Sequence, residues 1–292
     1  MIENDKLSLA YSSCPNDTFI FNGIANNLID LQGMEFNITL ADVETLNKQA
    51  LNTVHDITKL SFAAFGSVRD KYRLLEVGSA LGRGCGPLII SRTKRKIYDI
   101  NEPLISVPGL GTTAYHLLML FLNDLRQGSG KGVHPHIIPM SFEKIMPHVL
   151  KGESDFGVII HEGRFVYENS GLNLVCDLGT WWEKKTLLPI PLGCIAVKKK
   201  MDRNLGEKIE ILIKKSIQHA EKNPGKAFEY IKKHAREIDG NVIQQHIDLY
   251  VNGFTKELGK KGKEAVKLFF SETIKAGILP ESREELFLSD KT

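Results

Sequence analysis

Short apolar runs alternate with amphipathic stretches up to about residue 198, and beyond that point the hydrophobic period is helical throughout. The first cycle begins with a β-rich run at residues 7–11, then an amphipathic stretch at 19–29 that predicts a helix. A second strand is expected at 35–40, a helix at 43–51, a strand at 56–60, a helix at 62–69 and a strand at 74–77. The apolar run at 87–91 reads as a strand leaving this first lobe. The order strand, helix, strand is that of an α/β domain with mostly parallel strands.

A second cycle follows, with strands predicted at 104–107, 134–138, 155–160 and 173–177 and an exit strand at 193–198. Helices are expected between them at 114–125, 142–150 (with Pro147 as a kink) and 163–168. From 204 to 276 helices dominate, and Asn223-Pro224 places a cap residue ahead of a proline at the first helical position. Ile243, Ile247, Tyr250 and Phe254 fall on one helical face, which marks a helix packed on a core. The layout predicts a first lobe from residues 1–98, a second lobe inserted at 99–197, and a return to the first lobe in helices at 198–292. Two chain crossings between lobes form a hinge, and the glycine-rich run at 128–132 is expected to be a loose loop.

Composition narrows the chemistry. With 42% apolar residues over 292 positions the chain can fill real cores. The 38 basic and 35 acidic side chains are interspersed, and the lysine-rich stretches at 198–200 and 260–263 lack interleaved aromatics, so nucleic-acid binding is not expected. Cys14, Cys85, Cys176 and Cys194 are far apart and form no Cys/His ligand pair, as expected of a reduced cytoplasmic chain. The N-terminus shows no basic segment followed by an apolar one, and no apolar run reaches membrane length. No metal site, no membrane partner and no cofactor are expected, and no feature sets an oligomeric state. His134-Pro-His136 is a loose pair without a third ligand.

Candidate chemistry lies where predicted strands end. Ser12-Ser-Cys-Pro-Asn-Asp-Thr18 stands between the first strand and the first helix, where amides and hydroxyls can hold an oxygen-rich ligand; it also reads as a helix start capped by Asn16 or Asp17. Pro108-Gly-Leu-Gly-Thr-Thr-Ala114 repeats that arrangement in the second lobe. It resembles a dinucleotide loop, but no acidic residue stands where the ribose partner is needed, so a carboxylate or hydroxyl cradle is the better reading. Gly-Ser-Gly-Lys131 is followed by glycine rather than Ser or Thr and is no phosphate loop. The run Asp155-Phe-Gly-Val-Ile-Ile-His161 puts an imidazole at the carboxyl end of a buried strand, where it can serve as a general base or simply bond a backbone carbonyl. His219, His234 and His246, on the C-terminal helices, are less well placed. Ser61 is expected at the cleft edge, the glycines of 82–87 mark close backbone approach or a hinge bend, and Trp181-Trp182 wall a substrate or fill a core.

Taken together, Ser13-Cys-Pro-Asn-Asp-Thr-Phe19, Asp42-Val-Glu-Thr-Leu-Asn47, Thr58-Lys-Leu-Ser61, Leu81-Gly-Arg-Gly-Cys-Gly-Pro87, Thr112-Thr-Ala-Tyr115, Ile160-His-Glu-Gly-Arg-Phe165 and Leu187-Leu-Pro-Ile-Pro-Leu-Gly193 resemble the 1,4-dihydroxy-6-naphthoate synthases of the futalosine route to menaquinone. The Cys-Pro-Asn-Asp run separates this family from its sister, chorismate dehydratase. The resemblance implies an α/β, two-lobed fold of the type II periplasmic-binding-protein kind with the active site in the interlobe cleft. It implies a small-molecule substrate, cyclic dehypoxanthinyl futalosine, cleaved by a carbon–carbon lyase without a cofactor. It implies His161 as catalytic base and Asn47, Ser61, Thr112 and Thr113 as cleft-lining residues. Family members commonly carry Ser-Pro-Cys-Pro where this chain has Ser12-Ser-Cys-Pro, so Ser13 receives no role. The rivals are chorismate dehydratase and a non-catalytic solute-binding or ligand-sensing module of the same fold. The lack of an export signal and of a DNA-binding segment counts against the latter.

Overall fold

The computed structural model describes residues 6–129, 132–235 and 239–290. Two sheets, each with its own helices, divide the chain. The first sheet contains β1 (Leu7–Tyr11), β2 (Phe36–Leu40), β3 (Ile57–Ser61), β4 (Tyr72–Leu74), β5 (Ala80–Gly82) and β11 (Ile190–Lys198), in the order β2-β1-β3-β11-β4, with β5 pairing on β11. The second contains β6 (Leu88–Ser91), β7 (Leu104–Val107), β8 (His136–Pro139), β9 (Phe156–Ile159) and β10 (Asn173–Asp177), in the order β10-β6-β9-β7-β8. Parallel pairs β1·β2, β1·β3, β7·β8 and β7·β9 need crossover connections. The helices α1 (Pro15–Ala25), α2 (Val43–Leu51) and α3 (Phe62–Gly66) serve the first lobe, and α4 (Thr113–Ser129), α5 (Phe142–Leu150), α6 (Gly163–Val166) and α7 (Leu178–Thr186) follow in the second half of the cycle.

The sheets divide at other places than the borders expected at 98/99 and 197/198. The strand at 88–91 pairs antiparallel with β9 and β10 and so opens the second sheet, while β11 pairs antiparallel with β3 and β4 and so belongs to the first. Apolar content marks a strand without saying which neighbour it joins. The crossings therefore run through 82–88 and 177–190, and the glycines there have a steric task. A Cβ on Gly86 would lie 2.3 Å from Gly179 backbone atoms, so the two crossing segments touch backbone to backbone. Arg164 fastens the same point, donating to the Gly86 carbonyl from Nη2 at 3.0 Å and pairing with Asp177 at 2.6 Å.

The C-terminal helices α8 (Arg203–Lys222), α9 (Pro224–His234), α10 (Gly240–Tyr250), α11 (Gly253–Lys256) and α12 (Gly259–Lys275) return to the first lobe. Helix α8 packs on α1, where the Ser216 hydroxyl bonds the Ile20 carbonyl at 2.6 Å and leaves no room for a side chain at Gly23. Phe254 does not extend the apolar face of α10. Asn252 caps a new helix, so only Ile243, Ile247 and Tyr250 share that face. Helix α4 runs on to Ser129, and the remainder of the expected loose loop, at Gly130 and Lys131, lies outside the described residues. No described helix is long and apolar enough to cross a membrane.

Candidate active site

Four strands deliver the site at their carboxyl ends, the place where open α/β sheets bind ligands. Ser12 follows β1, Ser61 ends β3, the Gly109–Thr113 loop follows β7, and His161 follows β9. With Lys59, Leu60, Ala80, Cys85, Pro87, Ile160, Leu192, Gly193, His246 and Tyr250, among others, they line a cavity between the lobes. The walls are mixed, with apolar side chains from both lobes and a polar cluster on the β1, β9 and α10 side.

His161 has a left-handed backbone, φ 55°, in the turn between β9 and α6. Such a conformation is uncommon for a residue with a side chain and recurs at functional sites. Its ring meets Phe142 edge-on at 4.9 Å and stacks on His246 with centroids 6.2 Å apart and planes 11° apart. Cys14 Sγ lies 3.5 Å from Nδ1 and 3.9 Å from Nε2. A sulfur on the lone-pair axis of one nitrogen would be much farther from the other, so Cys14 packs against the ring rather than forming a linear hydrogen bond. Burial pushes the Cys14 thiol well up, helped by the charges of Glu162 and Asp17, so it stands as a neutral thiol and not as a nucleophilic thiolate.

The first turn of α1 serves a purpose other than capping. Pro15 starts the helix at its first position and Cys14 takes the cap position without a side-chain bond, so Asn16 and Asp17 fall inside the helix and not at the cap expected for them. Their side chains turn to the cavity. Asp17 accepts from Ser12 Oγ at 2.7 Å and from Asn16 Nδ2 at 2.8 Å, and pairs with Lys59 Nζ at 2.8 Å. Both partners of that ion pair are almost fully buried, and Lys59 also donates to the Gly78 carbonyl at 2.8 Å. Asn16 Oδ1 is 3.0 Å from His246 Nε2. His246 is wholly buried, which holds its pKa well below the ordinary imidazole range, as does the charge of His161. Its Nδ1 is 3.6 Å from a Glu162 carboxylate oxygen.

Of the residues anticipated from sequence, His161, Ser61, Thr112 and Thr113 line the cavity. Asn47 stands behind them as an interlobe link. Its side chain accepts from Ser61 N at 3.0 Å and donates to Ser61 Oγ at 3.1 Å and to the Gly111 carbonyl at 3.2 Å. Thr112 gives its hydroxyl proton to the Gly109 carbonyl at 2.7 Å, and Thr113 gives its own to the Leu192 carbonyl at 2.8 Å. What the α4 start offers an anion is therefore backbone N–H rather than hydroxyl. Trp182 is core, with Nε1 bonded to the Pro189 carbonyl, and Trp181 bonds Asp124; neither lines the cavity. Arg83 is engaged outside it with Glu183. Asn16 and Asp17, expected as caps within the first strand-end run, line the cavity, as do Lys59 and His246, to which no site role was given from sequence. Among the described residues no group of three or more His, Cys, Asp or Glu side chains is arranged to hold a metal ion.

Fold and site define a two-lobed α/β protein of the periplasmic-binding-protein kind whose interlobe cavity holds two histidines and a buried ion pair. The chain belongs to the menaquinone biosynthesis family, whose model matches residues 7–275. It is 38% identical over 284 residues to a 1,4-dihydroxy-6-naphthoate synthase of Thermus thermophilus, covering 97% of this chain and 100% of that protein. A Streptomyces coelicolor enzyme of the same name is 38% identical over 276 residues, 94% of this chain and 95% of that one. Among solved structures, a protein of Archaeoglobus fulgidus superposes with TM-score 0.86 at 30% identity, covering 95% of this chain and all of that one. The Escherichia coli periplasmic aliphatic sulphonate binding protein superposes with TM-score 0.67 at 9% identity, over 99% and 95% of the two chains, which is a likeness of fold alone.

Proposed function

We propose that the chain is a cytoplasmic, cofactor-independent carbon–carbon lyase that converts cyclic dehypoxanthinyl futalosine to 1,4-dihydroxy-6-naphthoate and a small sugar-derived fragment. The observation that carries this reading is an imidazole, His161, held at a strand end in the wall of an interlobe cavity, in a chain similar along its length to two synthases of that name. His161 is the general base. It removes a proton from the activated ring system; the bond to the sugar remnant breaks with its electron pair passing to the ring, the hydroxyl on the departing carbon becomes a carbonyl and gives up its proton, and the ring system takes up both protons in becoming the dihydroxy aromatic, a gain of aromaticity that drives the fragmentation. The step is redox-neutral and needs no electron carrier. The role of the cavity is to hold the substrate so that the proton lies near the imidazole nitrogen, the contribution that positioning makes to such a reaction. Leu60, Ala80, Pro87 and Leu192 supply apolar walls for the bicyclic ring. Ser61 and the backbone N–H groups at the start of α4 take the ring carboxylate.

The test is to incubate the purified protein with cyclic dehypoxanthinyl futalosine and, separately, with chorismate, following naphthoate fluorescence and chorismate loss. Naphthoate formation is expected. Consumption of chorismate would instead assign the dehydratase reaction, and tight binding of either compound without turnover would assign a solute-binding module.

A further inference from the structure

His246 has no task in the reaction as described, yet its surroundings are specified in detail. The Lys59–Asp17 ion pair makes Asp17 a carboxylate, which can only accept hydrogen bonds. Asn16 must then turn its Nδ2 to Asp17, at 2.8 Å, and its Oδ1 to His246. An amide oxygen also only accepts, so the proton on the 3.0 Å contact belongs to His246 Nε2. Burial keeps the ring neutral, and a neutral imidazole with its proton on Nε2 has a bare lone pair on Nδ1. That Nδ1 is buried and has no hydrogen-bond partner among the described residues. A Glu162 carboxylate oxygen stands 3.6 Å away, another acceptor and beyond hydrogen-bond reach. His246 lines the main cavity, while Glu162 lines the adjoining space with His161 and Cys14, so the two acceptors stand where these spaces meet.

We propose that His246 Nδ1 and the Glu162 carboxylate form a two-acceptor subsite for hydroxyl groups of the substrate's sugar-derived part, aimed by the Lys59–Asp17–Asn16 chain. This inference rests on the lyase reading above. A ligand carboxylate is repelled there by Glu162, and an aromatic ring leaves both lone pairs unmet; a polyol supplies one O–H to each without net charge. The subsite lies beside His161, so it holds the fragment that leaves next to the base that starts its departure. His246 and Glu162 are binding and positioning residues in this scheme.

Naphthoate, the product, lacks the polyol, and this separates the subsite from the rest of the cavity. His246→Gln keeps a donor near the Nε2 position but removes the acceptor at Nδ1, whereas His246→Asn keeps an acceptor near Nδ1. His246→Gln and Glu162→Leu should raise KM for cyclic dehypoxanthinyl futalosine by about 10- to 100-fold, as for a lost bond to a buried or charged acceptor, with naphthoate Kd unchanged. His246→Asn should be the milder change. Should any of these variants fail to fold, ¹⁵N-histidine NMR of the unaltered protein still decides: Nε2 protonated and Nδ1 bare in the free protein. In the His161→Asn protein, the Nδ1 resonance should move on adding cyclic dehypoxanthinyl futalosine and stay on adding naphthoate. A proton on Nδ1 in the free protein, or equal weakening of naphthoate and substrate binding, overturns the subsite. A wild-type protein that makes no naphthoate overturns the lyase reading, and the subsite with it.

Discussion

His161 and His246 stand face to face, yet only one of them was legible along the chain. The apolar run 156–160 ending in an imidazole is a local signal, because a buried strand that terminates in an ionisable group has carried that group to the sheet's ligand-binding edge. His246 sits within the apolar face of Ile243, Ile247 and Tyr250, and its importance depends on Asn16, 230 positions away. The signal was a titratable side chain interrupting an apolar stripe, as Lys59 interrupts the buried strand β3, but neither reveals a partner so distant. The role of His161 has a direct test. His161→Asn keeps a polar group of similar shape and removes the basic nitrogen, so turnover should fall by about 10²- to 10⁴-fold. Naphthoate affinity, measured by calorimetry, should be retained. Near-wild-type turnover in a folded variant would transfer the base to another group, Glu162 first.

At the scale of elements, most strand and helix cores follow from period, while their ends follow from single residues. Pro15 moves the start of α1 four positions ahead of the apolar stretch expected at residue 19, and that shift turns two apparent caps into site residues. The start of α4 is likewise more than a loop of small residues. Thr113 Oγ1 gives its proton to the Leu192 carbonyl and accepts from Ala63 N at 3.2 Å, so one hydroxyl joins the second lobe to two elements of the first. Thr113→Val leaves the part-buried Leu192 carbonyl and the buried Ala63 amide without this partner. Naphthoate binding should weaken by about 1 to 3 kcal/mol, and Thr113→Ser should restore most of it. Unchanged affinity in the valine variant would place the ligand and the closure contacts elsewhere.

The division into two lobes was legible from the repeated α/β cycle, but the borders were not, because a strand's sheet is chosen by its neighbours and not by its own composition. The strands at 88–91 and 190–198 exchange places relative to the expected split. The whole molecule also carries a pH dependence that no single segment announces. Burial pushes His116 down to about 4 and holds His246 well below the ordinary imidazole value, so the unfolded chain binds protons more readily at both positions. The stability these neutral rings contribute is complete above about pH 6.5 and is lost as pH falls from there toward 4. Urea unfolding at pH 7.5 and pH 5 should show lower stability at the acidic value by about 1 to 3 kcal/mol, and His116→Leu should reduce the difference. An identical midpoint at both pH values would mean that neither ring is kept neutral by the fold.

The two lobes also meet in a small contact between α2 and the loop after β7. Glu44 accepts from Gly111 N at 3.4 Å, Asn47 donates to the Gly111 carbonyl, and Gly109 lies against the Glu44 side chain with φ 123°. A Cβ at Gly109 would come within 2.4 Å of the Glu44 carboxyl carbon and would meet a backbone conformation that side chains rarely adopt. Each lobe has its own sheet, one apolar cluster runs through both, and Gly109 lies outside that cluster where the lobes meet, so Gly109→Ala should spare the core and disturb this interlobe contact. The expected result is a soluble, folded protein with larger radius of gyration in solution scattering and weaker naphthoate binding, the difference narrowing at saturating ligand because binding energy pulls the lobes together. Glu44→Ala in the same background removes the obstructing carboxyl and should recover part of the affinity. A Gly109→Ala protein with wild-type scattering and wild-type affinity would show that the loop yields without cost and that this contact does not set the arrangement of the lobes.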